Sequence, residues 1–171
     1  HNAFLNIDNK KMSKSLGNFR TVRDIAKNYD LQVLRFFMLS AHYRSPLNFS
    51  AELMESSKNA LERILTAVDR LNEAIEHAQN RSLTAEEEEN LTRAEQYAKN
   101  FDEAMDDDFN TADAISAIFE LVKLSNSTAS SESARAYLEK LKEMISSLCD
   151  ILGIITQRKK EDLDAEVEKL I

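Results

Sequence analysis

The sequence predicts a mainly α protein: a short β-hairpin and a lysine-bearing loop with linker helices, then an antiparallel helical bundle. Three observations point there. One proline and two glycines among 171 residues leave few places where a helix must break. Apolar residues recur at spacings of three and four through four segments after residue 50, the period of a helix buried along one face. A serine, threonine or aspartate stands before most of the helical segments, where its side chain can accept a free backbone N–H.

In order, Phe4-Leu5-Asn6-Ile7 reads as a strand, Asp8-Asn9 as a turn, and residues 10–12 as the returning arm of a hairpin. Thr21 is placed to cap a helix over residues 22–29, with Asp24 in its acidic first turn. Asp30 caps a second helix over residues 31–43, and Pro46 stops it. Its Val33, Leu34, Phe36, Phe37, Met38 and Leu39 are apolar nearly all round, which implies burial between layers. Arg35 interrupts that run and needs a carboxylate, a phosphate or solvent.

Ser50 caps a long helix to residue 78, with Leu53, Ser57, Ala60, Leu61, Ile64, Val68, Leu71 and Ile75 in its stripe. Thr84 and Glu87 have capping-box spacing, and the glutamates from Glu86 to Glu89 read as a solvated first turn that complements the helix dipole. The next stripe is Leu91, Ala94, Tyr97, Ala98, Phe101 and Met105. Asp106-Asp107-Asp108 comes next, and consecutive carboxylates point in different directions. They are therefore expected to accept N–H groups or an arginine of the next helix rather than to hold magnesium. Thr111 caps a helix with Ile115, Ile118, Phe119 and Val122 inward, and residues 125–133, rich in Ser, read as a flexible loop. Residues 134–152 form the last bundle helix, carrying Leu138, Leu141, Ile145 and Leu148 and stopped by Gly153. Residues 157–160 make a basic linker, and 161–171 begin a further helix. The expected division is 1–49, 50–153 and 154–171.

Hydrophobic residues make up 43% of the chain, enough for a real core, yet no apolar run approaches the length of a membrane span. Cys149 is the single cysteine, so no internal disulfide can form and no zinc site can be built around it. It sits beside an apolar stripe and is expected to be packed. A cytoplasmic location fits. The net charge of −8 argues against general affinity for nucleic acid, but the charge is unevenly placed. Residues 1–50 carry eight basic and three acidic side chains, a net of +5, which leaves −13 on residues 51–171. Only the first third is suited to face phosphates. The chain opens at His1 without an initiator Met and reads as a piece of a longer polypeptide.

The chemistry concentrates in Lys11-Met12-Ser13-Lys14-Ser15, continued by Leu16-Gly17-Asn18-Phe19. Two ammonium groups three residues apart can reach one polyanion, and Ser13 and Ser15 can donate to it. Charge placed where pyrophosphate departs lowers a barrier. By itself such a run is also an ordinary solvated loop.

Residues 11–15 resemble the KMSKS loop of class I aminoacyl-tRNA synthetases, and residues 11–19 with Thr21-Val22-Arg23-Asp24 are similar to the cysteinyl-tRNA synthetase form of it. Two further segments resemble that family in the same order: His42-Tyr43-Arg44-Ser45 with Leu47-Asn48-Phe49-Ser50, and Ala104-Met105-Asp106-Asp107-Asp108-Phe109-Asn110-Thr111. Ala3 stands where the family usually has Gly, a mild departure.

The resemblance implies an enzyme that activates cysteine with ATP, with Mg2+ accompanying the nucleotide, and moves the acyl group to the 3′ end of cysteine tRNA. It implies that Lys14 contacts ATP, assisted by Lys11, with Ser13 and Ser15 in the same loop. It makes residues 1–49 a stem-contact-like connecting unit and residues 50–153 an anticodon-binding-domain-like bundle. Arg44, Tyr43, His42 and Arg35 become candidates for tRNA contact, and His1 a weaker phosphate candidate. The family's HIGH sequence and its zinc ligands do not occur in these 171 residues, so the chain alone should be inactive and hold no catalytic zinc. Three alternatives remain open: another class I synthetase such as the methionyl enzyme, the ligase that joins cysteine to a glucosaminyl-inositol, and a non-enzymatic helical adaptor.

Overall fold

A computed structural model describes residues 3–157 of the chain. His1, residues 158–160 of the expected linker and the helix expected over 161–171 lie outside the described residues.

The hairpin forms as the residues direct. Strand β1 (Leu5–Ile7) pairs antiparallel with β2 (Lys10–Lys11), and Asp8 and Asn9 between them take left-handed φ values of 48° and 63°. Asp and Asn tolerate that region better than other side-chain-bearing residues, and such a turn matches the twist of the two strands. A third strand, β3 (Leu47–Phe49), lies on the other side of β1 and runs parallel to it, with Leu5 opposite Leu47 and Ile7 opposite Phe49. Pro46 therefore marks the entry to a strand rather than the stop of a helix.

Helix α1 (Val22–Ile25) is shorter than expected, although Thr21 and Asp24 do form a reciprocal capping box. Helix α2 (Leu31–Leu39) is capped by Asp30 and ends four residues early, where the Ser40 hydroxyl donates to the Phe37 carbonyl. Its Val33, Phe36 and Phe37 are buried, whereas Leu34, Met38 and Leu39 are only partly so, and the expected all-round burial is met on one face.

Helix α3 (Ala51–His77) starts at the Ser50 cap, and its buried line runs through Met54, Ser57, Leu61, Ile64, Ala67, Val68 and Leu71. Met54 fills the position expected for Leu53, which is 43% exposed. Helix α4 (Ala85–Asp106) begins at the Thr84–Glu87 capping box. Helix α5 (Thr111–Thr128) is capped by Asn110, whose side chain accepts the Asp113 N–H; Thr111 instead donates its hydroxyl to the Leu39 carbonyl of α2. The expected loop at 125–133 is helical through Thr128, because Ser127 and Thr128 return their hydroxyls to the Leu124 carbonyl and Ser125 is buried.

Helix α6 (Arg135–Ile151) closes the bundle. Gly153 takes φ +66°, its N–H bonds the Asp150 carbonyl, and the Ile154 N–H bonds the Cys149 carbonyl. These two bonds are a Schellman stop. Cys149 is fully buried, and burial pushes its thiol up to about 12.

Helix α4 packs on α5 and α6, while α3 packs on α6, α5 and α2. The link between α3 and α4 is fastened to the start of α6. The Arg135 N–H donates to the Gln79 carbonyl, and the Ala134 N–H donates to a Glu87 carboxylate oxygen at 2.9 Å. One hydrophobic cluster runs from Ile25, Val33, Phe36 and Leu47 through all four bundle helices to Ile154.

Candidate functional site

The lysine loop leaves the sheet through β2. Lys11 is in that strand, and the Met12 N–H still bonds the Leu5 carbonyl. Lys14 to Gly17 form a tight turn in which the Gly17 N–H returns to the Lys14 carbonyl at 3.2 Å. Gly17 has φ +67° with open space around it, so glycine is needed there for conformation rather than for room.

The carboxamide of Asn18 closes the loop. Its Oδ1 accepts the Ser13 N–H at 2.9 Å, and its Nδ2 donates to the Lys11 carbonyl at 3.2 Å. Ser13 Oγ accepts the Leu16 N–H at 3.2 Å and lies 3.1 Å from Ser15 Oγ. One serine hydroxyl must donate to the other, so of the two hydroxyl hydrogens only one is left to point outward.

Both ammonium groups rest over aromatic rings. Lys11 Nζ is 4.8 Å from the centroid of Phe4, and Lys14 Nζ is 5.5 Å from that of Phe19. Among the described residues, neither lysine has a carboxylate partner. The rings are themselves exposed, Phe4 by 64% and Phe19 by 43%. A cation–π contact at such exposure is worth only about 0.5–1 kcal/mol. A polyphosphate therefore has little to displace. Behind the hairpin lies an open cleft of about 260 Å³ lined by Asp8, Arg20, Asp24, Asn28, Tyr29 and Ser50 among others.

The other predicted residues gather at a second place. The His42 and Tyr43 rings stack with centroids 4.8 Å apart. The Tyr43 hydroxyl donates to Asp108 Oδ1 at 2.8 Å and accepts from Arg44 Nε at 2.8 Å. The Arg44 guanidinium grips Asp108 with both terminal nitrogens, at 3.1 and 3.2 Å, and His42 Nε2 faces the same carboxylate at 3.7 Å. The hydrogen bond to Tyr43 and the nearby Asp108 charge push the Arg44 pKa up. Asp108 does accept an arginine, but that arginine comes from the segment after α2 and not from the next helix.

Asp108 and Phe109 both have φ of 55°, two consecutive side-chain-bearing residues in the left-handed region, where each costs energy. The corner also reaches the sheet: the Ala3 N–H bonds the Tyr43 carbonyl, and the Leu47 N–H bonds the Phe4 carbonyl. Arg35 is elsewhere, its Nη1 3.5 Å from the Leu152 carbonyl at the end of α6.

The structure thus unites Lys11, Ser13, Lys14 and Ser15 in one loop, and His42, Tyr43 and Arg44 in one cluster, and leaves Arg35 apart. Sequence reasoning missed Asn18 as the closure and Phe4 and Phe19 as the rests for the lysines. The signal was an amide side chain just beyond the turn glycine, the residue type that both donates and accepts. Among the described residues no group of three or more His, Cys, Asp or Glu is placed to hold a metal ion, and no helix is long and apolar enough to cross a membrane.

Two family models match separate parts of the chain. Residues 1–59 match the family of tRNA synthetases class I (C) catalytic domains, and residues 100–157 match the DALR domain family. Over all 171 residues the chain is 61% identical to the cysteine--tRNA ligase of Lachnospira eligens and covers 36% of it. It is 53% identical to the cysteine--tRNA ligase of Lachnoclostridium phytofermentans and 44% identical to that of Clostridioides difficile, covering 37% of each. The chain thus spans just over a third of the length of these relatives. Among solved structures it is similar to the Agrobacterium radiobacter K84 agnB2 LeuRS in a ternary complex with tRNA and LeuAMS. The TM-score is 0.66 over 90% of this chain and 22% of that one; at 16% identity the likeness is one of fold.

Proposed function

By sequence this chain belongs to the cysteine–tRNA ligase family, and from that premise we propose that it supplies the ATP-facing lysine loop and the tRNA-facing helices of such a ligase. The whole enzyme is proposed to activate cysteine and to pass it to cysteine tRNA in the cytoplasm. Residues 1–49 would form the loop and connecting unit, 50–153 the helical tRNA-side bundle, and 154–171 a linker with the start of a further helix.

The observation that carries this reading is the pairing of two exposed ammonium groups, each resting on an aromatic ring and, among the described residues, neither neutralised by a carboxylate, on a loop tied shut at its base. In the proposed step the cysteine carboxylate attacks the α-phosphorus of ATP, the bond from that phosphorus to the β-bridging oxygen breaks, and pyrophosphate leaves with the electron pair. Lys14, with Lys11 assisting, leaves its ring to meet the charge that develops on the departing oxygens. The outward hydroxyl of the Ser13–Ser15 pair adds one donor. The Mg2+ that travels with ATP would share this neutralisation. No proton transfer is assigned to the loop, since its lysines act as charges. No step is routed through zinc, and the 171-residue chain is proposed to be inactive by itself.

For the tRNA side, His42, Tyr43 and Arg44 form a basic, aromatic corner next to the connecting strands, and Arg35 offers a separate cation at the end of α6. Arg44 is the strongest of these candidates because its side chain is 68% exposed even while bonded to Asp108.

The test is cysteine-dependent ATP–pyrophosphate exchange by a full-length ligase carrying this chain, beside Lys14→Ala. Loss of one donor used in the transition state lowers the rate about 10²–10³-fold, with cysteine binding nearly intact. Exchange supported by methionine instead of cysteine would transfer the chain to another synthetase. No exchange with any amino acid would favour the adaptor.

A further inference from the structure

We propose that Asn18 is a positioning residue for the lysine loop. Its carboxamide is the staple that sets where Lys11 and Lys14 start, and through them it acts on pyrophosphate release. This rests on the reading of the loop as the ATP loop.

The geometry is specific. Between Lys11 and Asn18 the chain makes an excursion that carries both lysines and both serines. Asn18 joins its two ends by accepting from the Ser13 N–H at 2.9 Å and donating to the Lys11 carbonyl at 3.2 Å. These two atoms belong to the residues on either side of Met12, so one planar amide fixes the backbone where the strand becomes the loop. The remaining bonds of the loop are internal to it: Gly17 N–H to the Lys14 carbonyl, Leu16 N–H to Ser13 Oγ, and Ser13 to Ser15. Lys11 stays in register with the sheet through its pairing opposite Asn6, and beyond it the Met12 N–H bond to the Leu5 carbonyl is the backbone tie that Asn18 supplements at the entry to this turn. Phe19, the rest for Lys14, is the very next residue, so the same staple places the ring as well. Asn18 is partly buried and touches no ammonium group itself, which makes it a positioning residue rather than a catalytic one.

A small displacement of charged groups near a reacting centre is costly, on the order of 10²-fold for 1 Å. Here a flexible lysine stem can take up part of the error. Asn18→Ala in the full-length ligase carrying this chain is therefore expected to lower the kcat of ATP–pyrophosphate exchange about tenfold, with the KM for cysteine within about twofold of wild type. In the 171-residue chain, the same variant should speed hydrogen exchange of the Ser13 amide. Asn18→Asp keeps the acceptor for that amide and loses the hydrogen for the Lys11 carbonyl. The Ser13 amide should then stay protected while exchange activity still falls, and this variant keeps the test open if the alanine variant folds poorly.

The inference is overturned if both variants retain exchange within twofold of wild type while Lys14→Ala is impaired. It is equally overturned if their loss of activity comes with a matching rise in the KM for cysteine and a lower melting temperature, the marks of a general structural defect. If wild type itself shows no cysteine-dependent exchange, the reading of the loop fails first, and Asn18 is not the cause.

Discussion

At the scale of single residues, Glu87 shows how a charge can be misread from its neighbours. In a run of four glutamates it looks solvated, and Glu86, Glu88 and Glu89 are exposed. Glu87 itself is 7% exposed, and its carboxylate accepts from both Arg81 terminal nitrogens, at 2.8 and 2.9 Å, from the Thr84 N–H and from the Ala134 N–H. The bonds from Arg81, more than any other cause, lower its carboxyl to about 2 from an ordinary 4.5. A carboxylate lowered on folding stabilises the native state above its unfolded value and stops doing so as pH falls through its folded one. This contribution is thus complete above about pH 4.5 and lost as pH falls towards 2. Glu87→Gln is expected to cost roughly 1–3 kcal/mol near neutral pH, since it leaves Arg81 without its carboxylate, holding only the Ser82 and Glu132 carbonyls, and the amide can meet fewer donors. It should also flatten the fall of stability between pH 4.5 and 2, which thermal melts across that range would measure. The capping-box spacing of Thr84 and Glu87 was legible; the reach of Glu87 to Ala134, far along the chain, was not, because nothing local encodes it.

At the scale of elements, the starts were more legible than the ends. Thr21, Asp30, Ser50 and Thr84 cap where a side-chain acceptor precedes an apolar period. The ends of α2 and α5 depend on hydroxyls that bond back to the preceding turn, and a Ser or Thr there can equally open a loop. Strand β3 escaped because three residues carry too short a pattern and its partner, β1, lies far upstream. Gly153 is the exception among the ends, being both legible and necessary. A Cβ there would stand 2.9 Å from Arg35 Nη1 on a backbone at φ +66°. Gly153→Ala should destabilise by about 1–2 kcal/mol from the left-handed conformation alone. Pairing it with Arg35→Ala in urea unfolding would recover only the part due to the displaced guanidinium.

At the scale of the molecule, the basic first third and the acidic remainder differ in charge, but the proposed loop unit and bundle are not separated in the packing. Phe36, Phe37 and Leu47 share one hydrophobic cluster with Ile64, Phe101, Leu121 and Ile145. Asp108, Tyr43 and Arg44 add a polar joint across the same boundary. Burying that shared core ties the units together far more strongly than a linker would, so the described part is expected to unfold in one transition. Far-ultraviolet dichroism and tyrosine fluorescence should then give coincident urea curves; two separated midpoints would mean that the units melt independently. The sequence made each amphipathic face readable, while which face meets which was set by the fold. The parallel pairing of β1 with β3 carries a consequence for the order of events during folding. The hairpin that holds the lysine loop needs only its own turn, yet its pairing with the rest of the sheet requires Leu47–Phe49, which α2 returns to it. Closure between strands so far apart in the chain is slow compared with helix formation. Of these elements the hairpin comes first in the chain, yet one edge of its sheet is supplied by Leu47–Phe49, so the alignment of the loop depends on a scaffold strand that follows it in sequence.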